Sequence, residues 1–169
     1  MGFVNETRGL AILGTAFTYL SEGAYAVVFV DRAAGKIVKA FKRRPELDHV
    51  RAVFRAEADA YRLARSSAEV SVLIPGNFRI YTLGQVTDKH GQDVTDEFFP
   101  DFAFETDFVE GCFHKIGGIG GTDASRVHQL FHEAGIHHTI DMSVTFNADG
   151  IIVKAIDFAT EEHELMHDE

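Results

Sequence analysis

The chain has little with which to bind nucleic acid, cross-link itself or enter a membrane. Sixteen Lys and Arg stand against 26 Asp and Glu, for a formal net charge of -10. Phosphate neutralisation needs clustered cations, and the one basic run, Lys39 to Arg44, is short. No nucleic-acid partner is expected. The single cysteine, Cys112, cannot close an internal disulfide and fits a reducing compartment. A protein passed from one cytosol into another would look the same. No apolar run reaches the roughly 20 residues of a spanning helix, and no basic segment precedes an apolar one at the amino terminus. Neither a membrane span nor a cleavable leader is expected. Internal repeats and low-complexity tracts are also missing.

Apolar residues are plentiful. Of 169 residues 46% are hydrophobic and 15 are Phe, enough for a core in one domain or two small lobes. From Phe17 to Phe41 the chain reads as an antiparallel meander: "FTYLSEG", "AYAVVFV", a turn at "DRAAG", then "KIVKAF". The next segment opens at Pro45 and repeats apolar residues at Leu47, Val50, Phe54, Ala58 and Tyr61, which predicts a helix from about residue 46 to 65. "FRIYTLGQV" and the segment ending in "FAFETDFVEG" are further strands, which brings the sheet to about five. "KIGGIGG" is a flexible boundary between lobes. Asp123 is expected to cap a helix ended by Gly135, and "SVTFNADGIIVKAIDF" to form a hairpin turning at Asn147 to Gly150.

Within "IVKAFK" a lysine interrupts a strand that otherwise reads as buried. An ammonium there is costly unless an anion meets it. Glu57 lies on the apolar stripe of the following helix, 18 residues beyond Lys39, and is a candidate partner. A lysine snorkelling from the strand, with Glu57 at the edge of the stripe, is the other reading. The hairpin bend in "SEGAYAVVFV" can lay backbone amides over phosphates.

In this order the segments resemble those of a protein kinase, over residues 17 to 160. "LSEGAYAVVFV" resembles the glycine-rich loop, with Ser21 and Ala26 in place of the first and third glycines and Gly23 kept. "IVK" is similar to the strand lysine site and "FRAEADAYRLA" to the helix whose Glu pairs with it. "FETDFVEG" resembles the hinge that holds adenine by its backbone. "LFHEAGIHHTID" is similar to the catalytic loop, and "VKAIDFA" to the D-F-G segment.

The resemblance implies an α+β, kinase-like fold. Its amino-terminal lobe, residues 1–115, would hold about five antiparallel strands and one helix, and residues 116–169 would form an abbreviated carboxy-terminal lobe. It implies ATP and Mg²⁺ as cofactors and transfer of the γ-phosphoryl group to a Ser/Thr hydroxyl of a protein, host proteins included. Lys39 would hold the α and β phosphates and Glu57 would fix the lysine. Ser21, Gly23, Ala26, Val28 and Ile37 would enclose the nucleotide, and the backbone of Asp107, Phe108 and Val109 would take adenine. Asp141 would orient the acceptor hydroxyl, and Asp157 would bind Mg²⁺ with help from Ser143. Lys42 is an alternative to Lys39, although the interval from Lys39 to Glu57 matches the family better.

The chain departs from the family at several points. Phe146 stands five residues after Asp141, where a second metal ligand is expected, and Ala159 replaces the glycine of D-F-G. Only 12 residues follow Asp157. This economy resembles the minimal kinases that some bacteria inject into host cells, and those of phages. The implied location is the cytoplasm, of the producing cell or of a host. A kinase-like binding module without catalysis is the alternative, favoured by the missing Asn, and a small-molecule kinase is a third reading. His128, His132, His137 and His138 also raise a zinc reading, in which the first two lie at i, i+4. The "GGIGG" run lacks a following Lys-Ser/Thr and reads as a linker, and the tail from Thr160 as the solvated, acidic end of a short helix.

Overall fold

A computed structural model describes residues 8–119 and 122–162. Gly120 and Gly121 of the glycine run and the tail beyond residue 162 lie outside the described residues. The chain is α+β and divides into two compact units, Met1–Val50 with Arg79–Phe108 and Arg51–Phe78 with Val109–Glu169.

The first unit is one antiparallel sheet. Its strands are β1 (Ala11–Ile12), β2 (Thr18–Glu22), β3 (Ala26–Asp31) and β4 (Lys36–Lys42); helix α1 (Leu47–Arg65) starts here and from Arg51 belongs to the second unit. After α1 and the short helix α2 (Ala68–Ser71) of the second unit, the chain returns as β5 (Arg79–Ile80), β6 (Val86–Thr87) and β7 (Phe98–Asp107). The spatial order is β5-β7-β4-β3-β2-β1-β6. The meander "FTYLSEG" to "KIVKAF" is present as β2, β3 and β4. The sheet nevertheless has seven strands where about five are expected from the sequence.

The difference has local causes. β1 is two residues long, too short for alternation to register. "FRIYTLGQV" does not form one strand: its first part pairs with β7 as β5, and its last part pairs with β1 at the other end of the sheet as β6. Between them the Leu83 amide bonds to the carbonyl of Pro100, a residue with no N–H to continue a ladder. Leu10, Ile12, Phe17, Val27, Phe29, Val38, Leu83, Val86 and Phe98 form the core of this sheet.

The second unit holds the rest of α1, α2, and β8 (His114–Lys115), α3 (Thr122–Glu133), β9 (Ser143–Phe146) and β10 (Ile152–Ile156). A three-stranded antiparallel sheet runs β10-β9-β8. On α1 the stripe Val50, Phe54, Ala58, Tyr61 is buried, whereas Leu47, in the first turn, is exposed. α3 ends as the sequence predicts. Gly135 takes a φ of +92°, and the amides of Gly135 and Ile136 return to the carbonyls of His132 and Phe131. Asp123 differs from expectation, since it lies inside the first turn. Its carboxylate accepts from Arg126 Nε at 2.8 Å and from the Ile152 amide at 2.7 Å, tying α3 to the start of β10. The hairpin turn is as expected, with Asn147 Oδ1 accepting the amides of Asp149 and Ile151. Among the described residues no helix is long and apolar enough to cross a membrane.

Candidate functional site

In the first unit the candidate residues share a sheet face because of strand register. Ser21 pairs with Val28, Val28 with Lys39, and Lys39 with Phe104, a row across β2, β3, β4 and β7. Residues opposite one another in an antiparallel ladder project to the same side. Ala26 opposite Phe41 and Val30 opposite Ile37 extend this face. Val27, Phe29, Val38 and Ala40 project to the other side, into the core. The lysine in "IVKAFK" is therefore carried on the face turned away from the core. Lys39 is half-buried, with its Nζ 5.7 Å from the centre of the Phe41 ring.

Lys42 has different surroundings. The register slips between Ala40 and Lys42, and the Lys42 ammonium is 2.9 Å from Glu22 Oε2 on β2. At the tip of the β2–β3 hairpin the Gly23 amide bonds to the Ala26 carbonyl at 2.9 Å, and a side chain at Gly23 would meet nothing within 4 Å. That tip is anchored through Tyr25, whose hydroxyl is 2.9 Å from His49 Nε2 and whose ring lies under the Arg44 guanidinium.

At the end of β7 the Asp107 carboxylate pairs with Lys36. The Phe108 amide donates to the Gly35 carbonyl at 2.8 Å, and Thr106 Oγ1 to the Asp107 carbonyl at 3.2 Å. Val109 opens the next stretch of the second unit.

In the second unit the hairpin brings three candidates to one end. Ser143, the first residue of β9, pairs with Ile156, the last of β10, so Asp157 follows directly beside the start of β9. His138 and Ala159 exchange both backbone hydrogen bonds, at 3.0 and 3.1 Å. The segment carrying Asp141 is thereby laid along the segment carrying Asp157. Asp157 has a φ of +63°, a region that Asp tolerates better than most residues. The turn leaves Asp157 exposed while Phe158, the next residue, is buried against Tyr61 and Phe131. Glu57 is half-buried one turn before Tyr61 on α1. Burial, then the charges of Asp157 and Glu57, hold the Tyr61 hydroxyl well above its ordinary pKa. Its proton is not available near neutral pH.

Asp141 is 70% exposed, with Oδ2 3.3 Å from His138 Nε2, and its carbonyl accepts from Lys115 Nζ at 3.1 Å. Ser143 is buried on the central strand of its sheet. Among the described residues no group of three or more His, Cys, Asp or Glu is arranged to hold a metal ion. The zinc reading thus finds no ligand set there: His128 and His132 both turn to the Thr139 hydroxyl. Magnesium makes a smaller demand, because one or two carboxylates suffice beside phosphate oxygens and water. The exposed carboxylate of Asp157 fits that demand better than the buried hydroxyl of Ser143.

Lys39 and the row around it belong to the first unit, and Glu57, Asp141, Ser143 and Asp157 to the second. Sequence reasoning did not single out Thr139 or Lys115. The paired histidines were the visible trace of the first; nothing in the local sequence marks the second. Comparison of the chain with protein-family models, with curated proteins and with solved structures finds no match.

Proposed function

We propose that this chain is a kinase-like phosphotransferase that uses ATP and Mg²⁺ and passes the γ-phosphoryl group to a Ser/Thr hydroxyl of a protein. The observation that carries the reading is the convergence of Asp141 and Asp157 at one end of the β9–β10 hairpin, through the His138–Ala159 and Ser143–Ile156 pairings. Phosphoryl transfer asks a protein mainly for positioning and charge. An exposed carboxylate 3.3 Å from a neighbouring imidazole suits the orienting of an acceptor hydroxyl, and a second, at a left-handed turn, suits a cation on the phosphates.

In this reading the acceptor oxygen, oriented by Asp141, attacks the γ-phosphorus. The bond to the β-phosphate bridging oxygen breaks, ADP leaves, and the hydroxyl proton passes to Asp141 or to water. Asp157, with phosphate oxygens and water, would hold a magnesium ion, which would supply neutralising charge. Lys39, on a sheet face with Ser21, Val28 and Ile37, is the cation for the α and β phosphates. Because the Phe108 amide is bonded to Gly35, adenine recognition falls to the neighbouring backbone groups of the segment.

One observation favours the alternative, a binding module without chemistry. β9 begins two residues after Asp141, and Phe146 is its last residue, so no loop residue offers a second metal ligand where kinases carry Asn. Transfer from radiolabelled ATP to lysate proteins, wild type against Asp157→Ala, separates the two. Label incorporated by the wild type and lost in the variant supports the enzyme. Equal label in both, or none in either while ATP still binds, rejects it.

A further inference from the structure

His128 and His132 stand one turn apart on one face of α3. His128 Nδ1 is 2.8 Å and His132 Nε2 is 3.2 Å from the same atom, Thr139 Oγ1. Thr139 is buried, at 2% exposure, in a turn whose next two residues, Ile140 and Asp141, are exposed. Its carbonyl accepts the Met142 amide, closing that turn. Thr139 is thus the peg by which the Asp141 turn is fixed to α3.

Resting on the phosphotransferase reading, we infer that His128 and His132 are positioning residues for the reaction: they hold the Thr139 hydroxyl, and Thr139 holds the turn that aims Asp141.

The hydrogen-bond inventory makes this clamp sensitive to protons. A hydroxyl has one hydrogen to give and two lone pairs. With both rings neutral, one ring accepts the Thr139 hydrogen and the other donates. One protonated ring still fits as the donor. Two protonated rings leave no acceptor for the hydroxyl and set like charges one turn apart. Burial, and then the charge of His132, lower the pKa of His128, so the second proton is resisted and the clamp is whole at neutral pH.

Among the described residues, α3 itself also carries Asp123, Arg126 and Glu133. His137 lies edge-on to His132, with ring centres 5.5 Å apart. His138 is paired with Asp141, and Lys115 of β8 holds the Asp141 carbonyl. Of the elements packed on α3, α2 carries Glu69, and β10 carries Lys154, whose ammonium is bonded to the carbonyls of Val72 and Ile74.

The test uses the whole chain, Thr139→Val and Thr139→Ser, and His128→Gln, which offers an amide in place of the imidazole without titrating. Thr139→Val should lower the rate of transfer about tenfold or more at unchanged ATP affinity, and Thr139→Ser should restore most of it. The acid limb of the wild-type rate profile, below about pH 6.5, should flatten in His128→Gln. A second readout needs no activity: amide hydrogen exchange at residues 138–142 should quicken about tenfold in Thr139→Val. Unchanged exchange there, or transfer by Thr139→Val equal to wild type, overturns the inference. A wild type that transfers nothing while exchange responds as expected overturns the phosphotransferase reading alone, and the clamp on the Asp141 turn stands.

Discussion

Lys39 and Lys42 carry the same charge on one strand and meet different surroundings. Lys42 follows a register slip and is bonded to Glu22, whereas Lys39 stands in the row Ser21, Val28, Phe104. If Lys39 holds phosphates, Lys39→Ala should weaken ATP·Mg binding tenfold or more, since charge-assisted bonds contribute about 1.5–3 kcal/mol. Lys42→Ala should leave it nearly unchanged; calorimetry giving the reverse order would move the phosphate role to Lys42. The oddity of a lysine in an apolar strand was legible in the sequence. The slip that separates the two lysines was not, because a bulge depends on the partner strand. Asp157 offers a second test at this scale. At its φ of +63° glycine is unstrained and alanine is not. Asp157→Gly should be at least as stable as wild type, and Asp157→Ala less stable by about 1 kcal/mol, read by thermal or denaturant melts. Both should lose transfer. An active Asp157→Gly would remove the carboxylate from the mechanism.

At the scale of elements, strong signals read correctly and short ones did not. The stripe of α1, the Gly135 terminus of α3 and the Asn147 turn each rest on local chemistry that a sequence displays: helical spacing, a left-handed glycine, a side chain that bonds its own backbone. The two-residue strands are defined by their pairings rather than by their own sequence, β5 on β7, β1 on β2 and β6 on β1, so five strands became seven. Asp123 was expected to cap its own helix, but the nearby β10 amide drew its carboxylate across the unit. The join between α3 and the Asp141 turn sets a pH dependence. His128 is held below the ordinary histidine value of 6.5 by burial and by His132. The unfolded chain therefore takes up this proton at higher pH than the folded one. Its contribution to stability is complete above about pH 6.5 and is lost as pH falls through the lower, folded value. Melts between pH 7.5 and 5 should show His128→Gln flatter than wild type; parallel curves would mean that His128 titrates as a free histidine.

For the whole molecule, composition describes an acidic chain with enough apolar residues for two units. The order of six short segments suggested phosphoryl transfer, and no one of them is specific. What the sequence could not reveal is which residues its pairings bring side by side. The segments carrying Asp141 and Asp157 lie side by side only because His138 pairs with Ala159 and Ser143 with Ile156, contacts between segments whose identities do not announce them. The same fold leaves Asp141 two residues from the start of β9, which makes catalysis at that position the central claim. The most direct measurement is single-turnover phosphoryl transfer by Asp141→Asn, with ATP affinity measured in parallel. An orienting group used in the transition state should give unchanged ATP binding and transfer reduced about a hundredfold or more. Transfer by Asp141→Asn at the wild-type rate, or a wild type that binds ATP and labels no protein, itself included, would contradict the account.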